Sequence, residues 1–329
     1  MERPVLVTGA SGFIGRHLVR ALIAQGIPVR ALVRRESPRG LWPEEAGVEI
    51  VVGDLLDGSV ARCATAGVRR VFHLAGRLFA PGVPAVAFER LHVEATLALL
   101  NECTRTDGFE SFVLCSTTGV LGPQNGRLGR EDDLVNPRNA YEETKARAEH
   151  EATAFARSVS LPLTIVRPGL VYGPGDRHLL GLFRAIHGGY YRVIGRGTNR
   201  FHPTYVQDAV DGILRAAGAA SPGCRAYNIV GPRPATVREL SETIADALGC
   251  SLPASHLPRG VALAAGAALE LLPISRRRLP LTRSRVRFLT EDRAYDGSRA
   301  AEELDFRPET SLATGMRRTV AWYRENGWL

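Results

Sequence analysis

The chain has 329 residues, 45% of them hydrophobic and 23% charged, which is the composition of an ordinary globular protein with one large domain or two smaller ones. Its net charge is +8, but the arginines are scattered among acids and form no basic stripe with interleaved aromatic residues, which argues against nucleic-acid binding. The five cysteines form no CxxC pair, which argues against a zinc site or a disulfide framework, and no apolar run is long enough to span a membrane.

The first predicted element is a short buried strand at Val5-Leu6-Val7, followed at once by a glycine turn and an amphipathic helix. The turn has the spacing GxxGxxG. Glycines allow the backbone to approach a pyrophosphate, and a helix N-terminus supplies N–H groups and a positive dipole end. A tight turn without a ligand is the alternative. The context of strand, turn and helix favours a dinucleotide site formed by Gly9, Gly12, Phe13, Ile14 and Gly15.

The second predicted strand, residues 29–33, ends without the acidic residue that usually binds the adenosine ribose in NAD-selective sites. Arg34 and Arg35 follow it instead. A guanidinium can bind a 2′-phosphate through two hydrogen bonds, whereas a carboxylate would repel it. We therefore predict NADP as the cofactor, with NAD possible, and Arg34 as the contact. Two solvated arginines are the alternative.

Two further strands are predicted at residues 48–52 and 70–76, and a helix at 88–103 should cover the sheet. Asp54 and Leu55 follow the third strand, where adenine would lie. The fourth strand ends in small residues that permit close approach of a cofactor, and we assign cofactor contacts to Leu74, Ala75 and Gly76. His73 is interpreted as a core histidine with satisfied hydrogen bonds.

The alternation of strands and helices continues through a strand at 112–115, a helix from Tyr141 and a strand at 163–166. This pattern predicts an α/β fold with a doubly wound parallel sheet, the Rossmann arrangement. We place the dinucleotide-binding domain at 1–172 and a smaller substrate-binding domain at 173–329. Elements within 201–230 are expected to return to the first domain, so that the two interleave. Hydroxyls after the fifth strand would point into the ligand crevice.

Lys145 is the single lysine among 42 basic residues, and it lies four residues after Tyr141. On a helix the two side chains share a face, and Asn139 with Glu142 forms a helix-capping signal. An ammonium roughly 4 Å from a phenol would lower its pKa by about three units, into the range of an acid/base catalyst. An exposed tyrosine and lysine one turn apart are the alternative.

With these residues placed, the chain resembles the extended short-chain dehydrogenase/reductase superfamily, in its NAD-dependent epimerase/dehydratase branch. The matching segments are TGASGFIG at 8–15, GDL at 53–55, HLAG at 73–76, STTGVLG at 116–122, YEETK at 141–145, RPGLVYGPGD at 167–176, FHPTYVQDAVDGI at 201–213, YNIVG at 227–231 and LDFRP at 304–308. The resemblance implies that Tyr141 is the acid/base, that Lys145 lowers its pKa and holds the nicotinamide ribose, and that Thr117 binds the substrate oxygen. It also implies that Pro168 lines the nicotinamide.

Three departures from the family pattern bear on the reaction. His92 occupies the place of an asparagine that helps to position the active-site helix and a water of the proton relay. Thr118-Gly119 lacks the Asp-Glu pair of the dehydratases, so sugar dehydration is not expected. Arg167-Pro168-Gly169-Leu170 replaces the R-Y-F-N of many epimerases, which weakens the case for a nucleotide-sugar substrate.

The form of residues 167–176 is closer to the 3β-hydroxysteroid dehydrogenase group, and so is the C-terminal region. An apolar stretch at 261–272 precedes Arg276-Arg277-Arg278. These could form a helix at the substrate mouth with at most peripheral membrane contact, or a core helix and a solvated turn.

We therefore predict a cytoplasmic NAD(P)-dependent oxidoreductase that interconverts a secondary alcohol and a ketone on a sterol- or terpenoid-like substrate. A nucleotide-sugar epimerase with tightly bound NAD is one alternative, and a cofactor-binding protein without turnover is another. The expected partner is a small molecule, not nucleic acid, and the family resemblance implies a homodimer. No metal is predicted.

Overall fold

A seven-stranded parallel sheet forms the centre of the protein. The computed structural model describes residues 2–38, 40, 42, 47–80, 82–219, 224–272, 279 and 281–329. In chain order its strands are β1 (Val5–Thr8), β2 (Val29–Val33), β3 (Glu49–Val52), β4 (Arg70–His73), β5 (Ser111–Cys115), β6 (Leu163–Pro168), β7 (Leu170–Tyr172), β8 (Val193–Ile194), β9 (Arg200–Phe201), β10 (Pro203–Tyr205), β11 (Cys224–Ile229), β12 (Ala235–Thr236) and β13 (His256–Leu257).

The strand order in this sheet is β11-β6-β5-β4-β1-β2-β3. The chain therefore builds outward from β1 to β3 and then returns to the other side of β1 with β4. Thr8 and His73 are paired at the ends of these two neighbouring strands. Ligands of doubly wound sheets bind at the carboxyl ends of the strands, where the order reverses. The predicted fold class is confirmed.

Helices cover both faces of the sheet. They are α1 (Phe13–Ala24), α2 (Gly58–Thr65), α3 (Ala85–Glu89), α4 (Ala95–Cys103), α5 (Ala140–Ser158), α6 (Leu180–His187), α7 (Val206–Gly218), α8 (Val237–Leu248), α9 (Arg259–Leu269), α10 (Arg283–Leu289), α11 (Ser298–Glu303) and α12 (Leu312–Glu325). On one face Leu18 of α1 and Ile213 of α7 are fully buried against the sheet. On the other face α2, α4 and α5 bury Ala61, Leu99 and Ala152.

The helix predicted over 88–103 is interrupted. α3 and α4 are separated by one π-helical turn, Arg90–Glu94, which contains His92. Such turns insert one extra residue into a helix and often lie at functional sites. The hydrophobic pattern of the sequence did not indicate this interruption.

The region after β7 forms short strand pairs and a separate apolar core. β7 pairs with β10, β9 with β12, and β8 with β13. α6, α8 and α12 meet around Phe183, Ile244 and Tyr323. β11 joins the large sheet beside β6, and α7 packs against α1. The division into two domains at residue 172 stays a prediction.

The apolar stretch predicted at 261–272 forms α9, which ends at Leu269. Leu271 and Leu272 beyond it are 86% and 45% exposed, so this end of the stretch does not lie in the core. Arg276-Arg277-Arg278 lies outside the described residues. Within the described ranges no helix is both long and apolar enough to cross a membrane.

Candidate active site

The glycine turn between β1 and α1 brings two backbone segments into contact. Gly9 has φ +66°, and a Cβ there would lie 2.7 Å from the backbone of Leu74 and Ala75. A Cβ on Gly15 would lie 2.2 Å from the Gly9 carbonyl oxygen. Only glycine fits either position, so the spacing read from the sequence is a requirement of packing.

The N-terminus of α1 suits an anion. The helix begins after Gly12 with no side-chain cap and no acidic residue in its first turn, and its first two residues are Phe13 and Ile14. Uncapped N–H groups and the positive end of the helix dipole favour a phosphate group at this point. These features fit the diphosphate of a dinucleotide.

Arg34 follows β2 in a turn that touches the glycine turn. The Ser37 N–H donates to the Arg34 carbonyl at 3.0 Å, and the Ser37 and Ser11 hydroxyls are 3.0 Å apart. The Arg34 side chain is 67% exposed and pairs with the Glu36 carboxylate at 3.1 Å. Arg34 therefore lies at the edge of the predicted cofactor site, and the Glu36 carboxylate is paired with it.

The other residues assigned to the cofactor lie at the same edge of the sheet. Asp54 is exposed and accepts the Leu56 N–H at 3.0 Å, whereas the Leu55 side chain is buried in the core. Leu55 can therefore offer only its backbone. The segment from Leu74 to Gly76 continues from β4 and crosses the glycine turn. A Cβ on Gly76 would lie 3.4 Å from the Lys145 ammonium, so this segment adjoins α5.

α5 carries Tyr141 and Lys145 and is anchored by two buried ion pairs. The predicted cap is present, since Asn139 Oδ1 accepts the Glu142 N–H at 3.1 Å. The Glu142 carboxylate also accepts from Arg293 at 2.8 Å. Two helical turns further along, Glu149 forms a two-pronged pair with Arg167 of β6, with a shortest distance of 2.6 Å. These pairs fix the helix on the sheet.

Lys145 is buried, and its ammonium donates to the Cys115 carbonyl oxygen at the end of β5, 2.9 Å away. Burial lowers the pKa of this amine, and the neighbouring Cys115 and Glu149 oppose the shift. The hydrogen bond fixes the amine beside the residues that follow β5, which include Thr117. The predicted helical turn between Tyr141 and Lys145 is present.

Tyr141 faces Thr117, but its acidity differs from the prediction. Burial raises the pKa of the phenol, and a hydrogen bond with the Thr117 hydroxyl opposes that rise. Lys145 is not among the groups that shift it, so the expected lowering by about three units is wrong for the protein's own groups. Desolvation is the largest cause of the rise, and the Lys145 ammonium donates to the Cys115 carbonyl. Thr117 also caps the short 3₁₀ turn Thr118–Leu121, and Thr118 donates to the Pro168 carbonyl at 3.2 Å.

His73 is a buried histidine with both ring nitrogens occupied, as interpreted from the sequence. Thr96 donates to the His92 carbonyl at 2.6 Å, so its oxygen accepts from Nε2 of His73 at 2.9 Å. Nδ1 of His73 then accepts from Thr8, 2.7 Å away. Thr8 in turn accepts the Ala75 N–H at 3.2 Å. Burial and the charge of Lys145 lower the pKa of His73 to about 3, so the ring is neutral.

His92 continues the network to the catalytic helix. Its Nε2 accepts the Arg77 N–H at 3.1 Å, which leaves the proton on Nδ1, and Nδ1 lies 2.9 Å from the Thr144 hydroxyl. Thr144 donates to the Ala140 carbonyl at 2.8 Å. The ring lies 5.6 Å from the Tyr141 ring. Burial and Lys145 lower the pKa of His92 to about 3. Sequence reasoning found His92 as a departure from the pattern but missed Thr144.

A cavity of about 350 Å³ opens at the start of α5, where Ala140 lines it; Tyr141 itself is not among the described residues in its walls. Ala140 precedes that tyrosine, and the Phe88 ring lies 6.4 Å from the tyrosine ring. The cavity is lined by Phe79, Ala80, Gly82, Val83, Phe88, Ala140, Glu270, Thr282, Arg283, Ser284 and Arg287. Its volume is at the lower end of the range for small-molecule sites. No sequence motif marks it, because its walls come from distant segments.

The parallel sheet, the glycine turn at its switch point and the uncapped α1 define a dinucleotide-binding enzyme fold of the Rossmann type. The chain belongs to the NAD-dependent epimerase/dehydratase family, whose profile matches residues 5–230. The resemblance stated from the sequence is confirmed.

Relatives with different reactions resemble this chain over nearly its whole length. It is 32% identical to the 2-alkyl-3-oxoalkanoate reductase of Stenotrophomonas maltophilia, across 96% of this chain and 98% of that protein. It is also 32% identical to sterol demethylase protein B of Methylococcus capsulatus, across 98% and 99%. Among solved structures, MoeE5 in complex with UDP-glucuronic acid and NAD is 29% identical with a TM-score of 0.78, across 98% and 99%.

Proposed function

We propose that the protein is an NADP(H)-dependent oxidoreductase that interconverts a secondary alcohol and a ketone on a hydrophobic substrate. The observation that carries the proposal is the partly apolar cavity beside Tyr141, with Phe79, Val83 and Phe88 in its walls. A site of this kind binds the body of an apolar molecule next to a proton donor. The similarity to a 2-alkyl-3-oxoalkanoate reductase and to a sterol demethylase protein supports it.

In this proposal each residue has a separate role. When bound, NADP(H) supplies or accepts the hydride. Tyr141 hydrogen-bonds the substrate oxygen and exchanges the proton, and Thr117 orients the same oxygen. Burial raises the pKa of Tyr141, so its phenol is protonated at neutral pH and suited to donate a proton to a ketone. Lys145, held by the Cys115 carbonyl, lies on the same helix as Tyr141 and would hold the nicotinamide ribose, the role that the family resemblance implies.

The preference for NADP(H) rests on Arg34. Arg34 lies in the turn after β2, and Ser37 of that turn contacts Ser11 of the glycine turn, so a 2′-phosphate of the adenosine ribose would be expected near this guanidinium. The nearby Glu36 reduces this preference, so the proposal includes residual binding of NAD(H).

The test is turnover with NADPH over ketones of increasing apolar size, compared between the wild type and Tyr141→Phe. We expect kcat to fall by about 10²-fold or more in the variant, the usual contribution of an acid/base group, while NADPH binding is retained. Tyr190→Phe is the matched control, because Tyr190 is 68% exposed and does not line the cavity. Unchanged turnover in Tyr141→Phe would refute the mechanism.

A nucleotide-sugar epimerase is the second candidate, favoured by the similarity to MoeE5. An epimerase regenerates its cofactor. Protein purified with bound NAD(H), which converts a UDP-sugar without net change in the absorbance of the reduced nicotinamide, would support this alternative over the first proposal.

A further inference from the structure

The cavity beside Tyr141 is lined by charged side chains as well as apolar ones. The charged side chains come from the first residues of α10 and from Glu270, just beyond α9. Glu270 accepts the backbone N–H of Arg283 at 2.8 Å and its Nε at 2.9 Å. The Glu270 side chain is only 9% exposed, so this pair is partly removed from water. The charge of Arg283 is therefore balanced within the protein.

Arg287 lies one helical turn after Arg283 and lines the same cavity. None of the ion pairs formed by the described residues includes it. A guanidinium is always charged, and its five N–H donors match the two oxygens of a carboxylate. Among the described residues, the cavity thus presents one positive charge on α10 that no ion pair balances, and aromatic side chains on the segment that follows β4.

We propose that the substrate carries a carboxylate, which Arg287 binds, in addition to the carbonyl or hydroxyl that reacts at Tyr141. This inference rests on the proposed function and specifies its substrate as a hydrophobic oxo or hydroxy acid. Phe79, Val83 and Phe88 contact the apolar body of the molecule. A neutral ketone would make no ion pair with this exposed guanidinium and would leave it to water. A nucleotide diphosphate carries more negative charge than the described residues of this wall balance, since Glu270 already pairs with Arg283.

The first measurement does not depend on catalysis. Decanoate and decanol are added to the full-length protein, and the midpoint of thermal unfolding is followed. We expect decanoate to raise the midpoint of the wild type and to lose this effect in Arg287→Gln, because a ligand that binds only the folded state stabilises it. Arg317→Gln removes the same charge from an exposed position on α12 that does not line the cavity, and it should respond like the wild type.

The second measurement compares oxidation of β-hydroxydecanoate and its methyl ester with NADP⁺. In Arg287→Gln we expect kcat/KM for the acid to fall by about 10-fold or more, mainly through KM, as for loss of a charge-assisted hydrogen bond. The ester should change by less than about twofold, since it does not use that bond. Arg287→Lys should retain more activity on the acid than Arg287→Gln, because lysine keeps the positive charge but lacks the paired N–H donors of the guanidinium.

The two proposals fail in different ways. Equal effects of Arg287→Gln on acid and ester, or an equal thermal shift by decanoate in both proteins, would overturn the carboxylate site and leave the oxidoreductase intact. Tyr141→Phe with unchanged turnover would overturn the proposed function. Tighter binding of a UDP-sugar than of decanoate, lost in Arg287→Gln, would assign the arginine to a diphosphate and overturn the inference.

Discussion

His92 donates its Nδ1 proton to the hydroxyl of Thr144 across 2.9 Å, and so joins the π-helical turn to the helix that carries Tyr141. Its other ring nitrogen accepts the Arg77 N–H. One imidazole therefore holds the segment after β4 against the catalytic helix. Because Nε2 is already occupied by that N–H group, the ring cannot also accept a proton from the active site through it. The position acts here by holding two segments together, which makes His92 a positioning residue.

Two substitutions separate these bonds. The amide nitrogen of Asn can take the place of Nδ1, so His92→Asn should keep the Thr144 bond and lose the Arg77 bond, whereas His92→Leu loses both. We expect each lost bond to lower the free energy of unfolding by about 1 kcal/mol, and Leu to lower kcat more than Asn. Urea unfolding and steady-state kinetics measure both effects. Equal stability of the two variants would show that the Thr144 bond contributes nothing.

Acid should destabilise the protein through its buried histidines. His73 and His92 have folded pKa values of about 3, and His202 of about 4, against 6.5 for an ordinary histidine. Between the folded pKa values and 6.5, the unfolded chain therefore binds more protons than the folded protein does. The free energy of unfolding falls as pH falls from 6.5. Each histidine contributes up to about 1.4 kcal/mol per pH unit to this fall in the free energy of unfolding.

Urea unfolding at several pH values between 7 and 4 measures this dependence. His92→Asn should reduce the slope by the contribution of one histidine, while His256→Asn, which changes an exposed residue, should leave it unchanged. A slope that does not change in His92→Asn would show that this ring is not held neutral by folding.

Cofactor choice should depend on Arg34. Arg34→Ala is expected to raise the Kd for NADPH about tenfold, because one charge-assisted contact with the 2′-phosphate is lost, and to leave the Kd for NADH unchanged. Glu36→Gln should strengthen NADPH binding, since its carboxylate pairs with Arg34 at 3.1 Å. Fluorescence titration with both nucleotides gives the two constants. Arg35→Ala is the neighbouring control. An equal rise of the Kd for NADPH in both arginine variants would show that general surface charge, and not a specific contact of Arg34, causes the effect.

Gly15 should tolerate no side chain. In Gly15→Ala the new Cβ would meet the Gly9 carbonyl oxygen at 2.2 Å, so the glycine turn must shift. We expect the free energy of unfolding to fall by about 1–3 kcal/mol and dinucleotide binding to be lost. Gly58→Ala is the matched control, because nothing lies within 4 Å of its added Cβ and α2 should gain stability by about 0.5 kcal/mol. Similar losses in both variants would contradict the packing argument.

The sequence predicted those features that depend on local pattern. Gly9 and Gly15 marked the switch point because the close contact of two backbones needs glycine, and Asn139 marked the start of α5 because its cap is local. The π-helical turn at His92 was missed, since one inserted residue barely changes the hydrophobic pattern. The predicted lowering of the Tyr141 pKa was wrong, because burial, which raises it, is a property of the whole fold. Arg287 was not found because only tertiary packing places it in the wall of the same cavity as Phe88.

The burial of Lys145 has a practical consequence, because this residue is the only lysine in the chain. A lysine-specific endoprotease has one peptide bond to cut, in the second turn of α5, and can reach it only when that helix opens. The rate of this single cleavage therefore reports how often the catalytic centre unfolds locally, without any introduced probe. A ligand that closes the site would appear as slower cutting into two defined fragments.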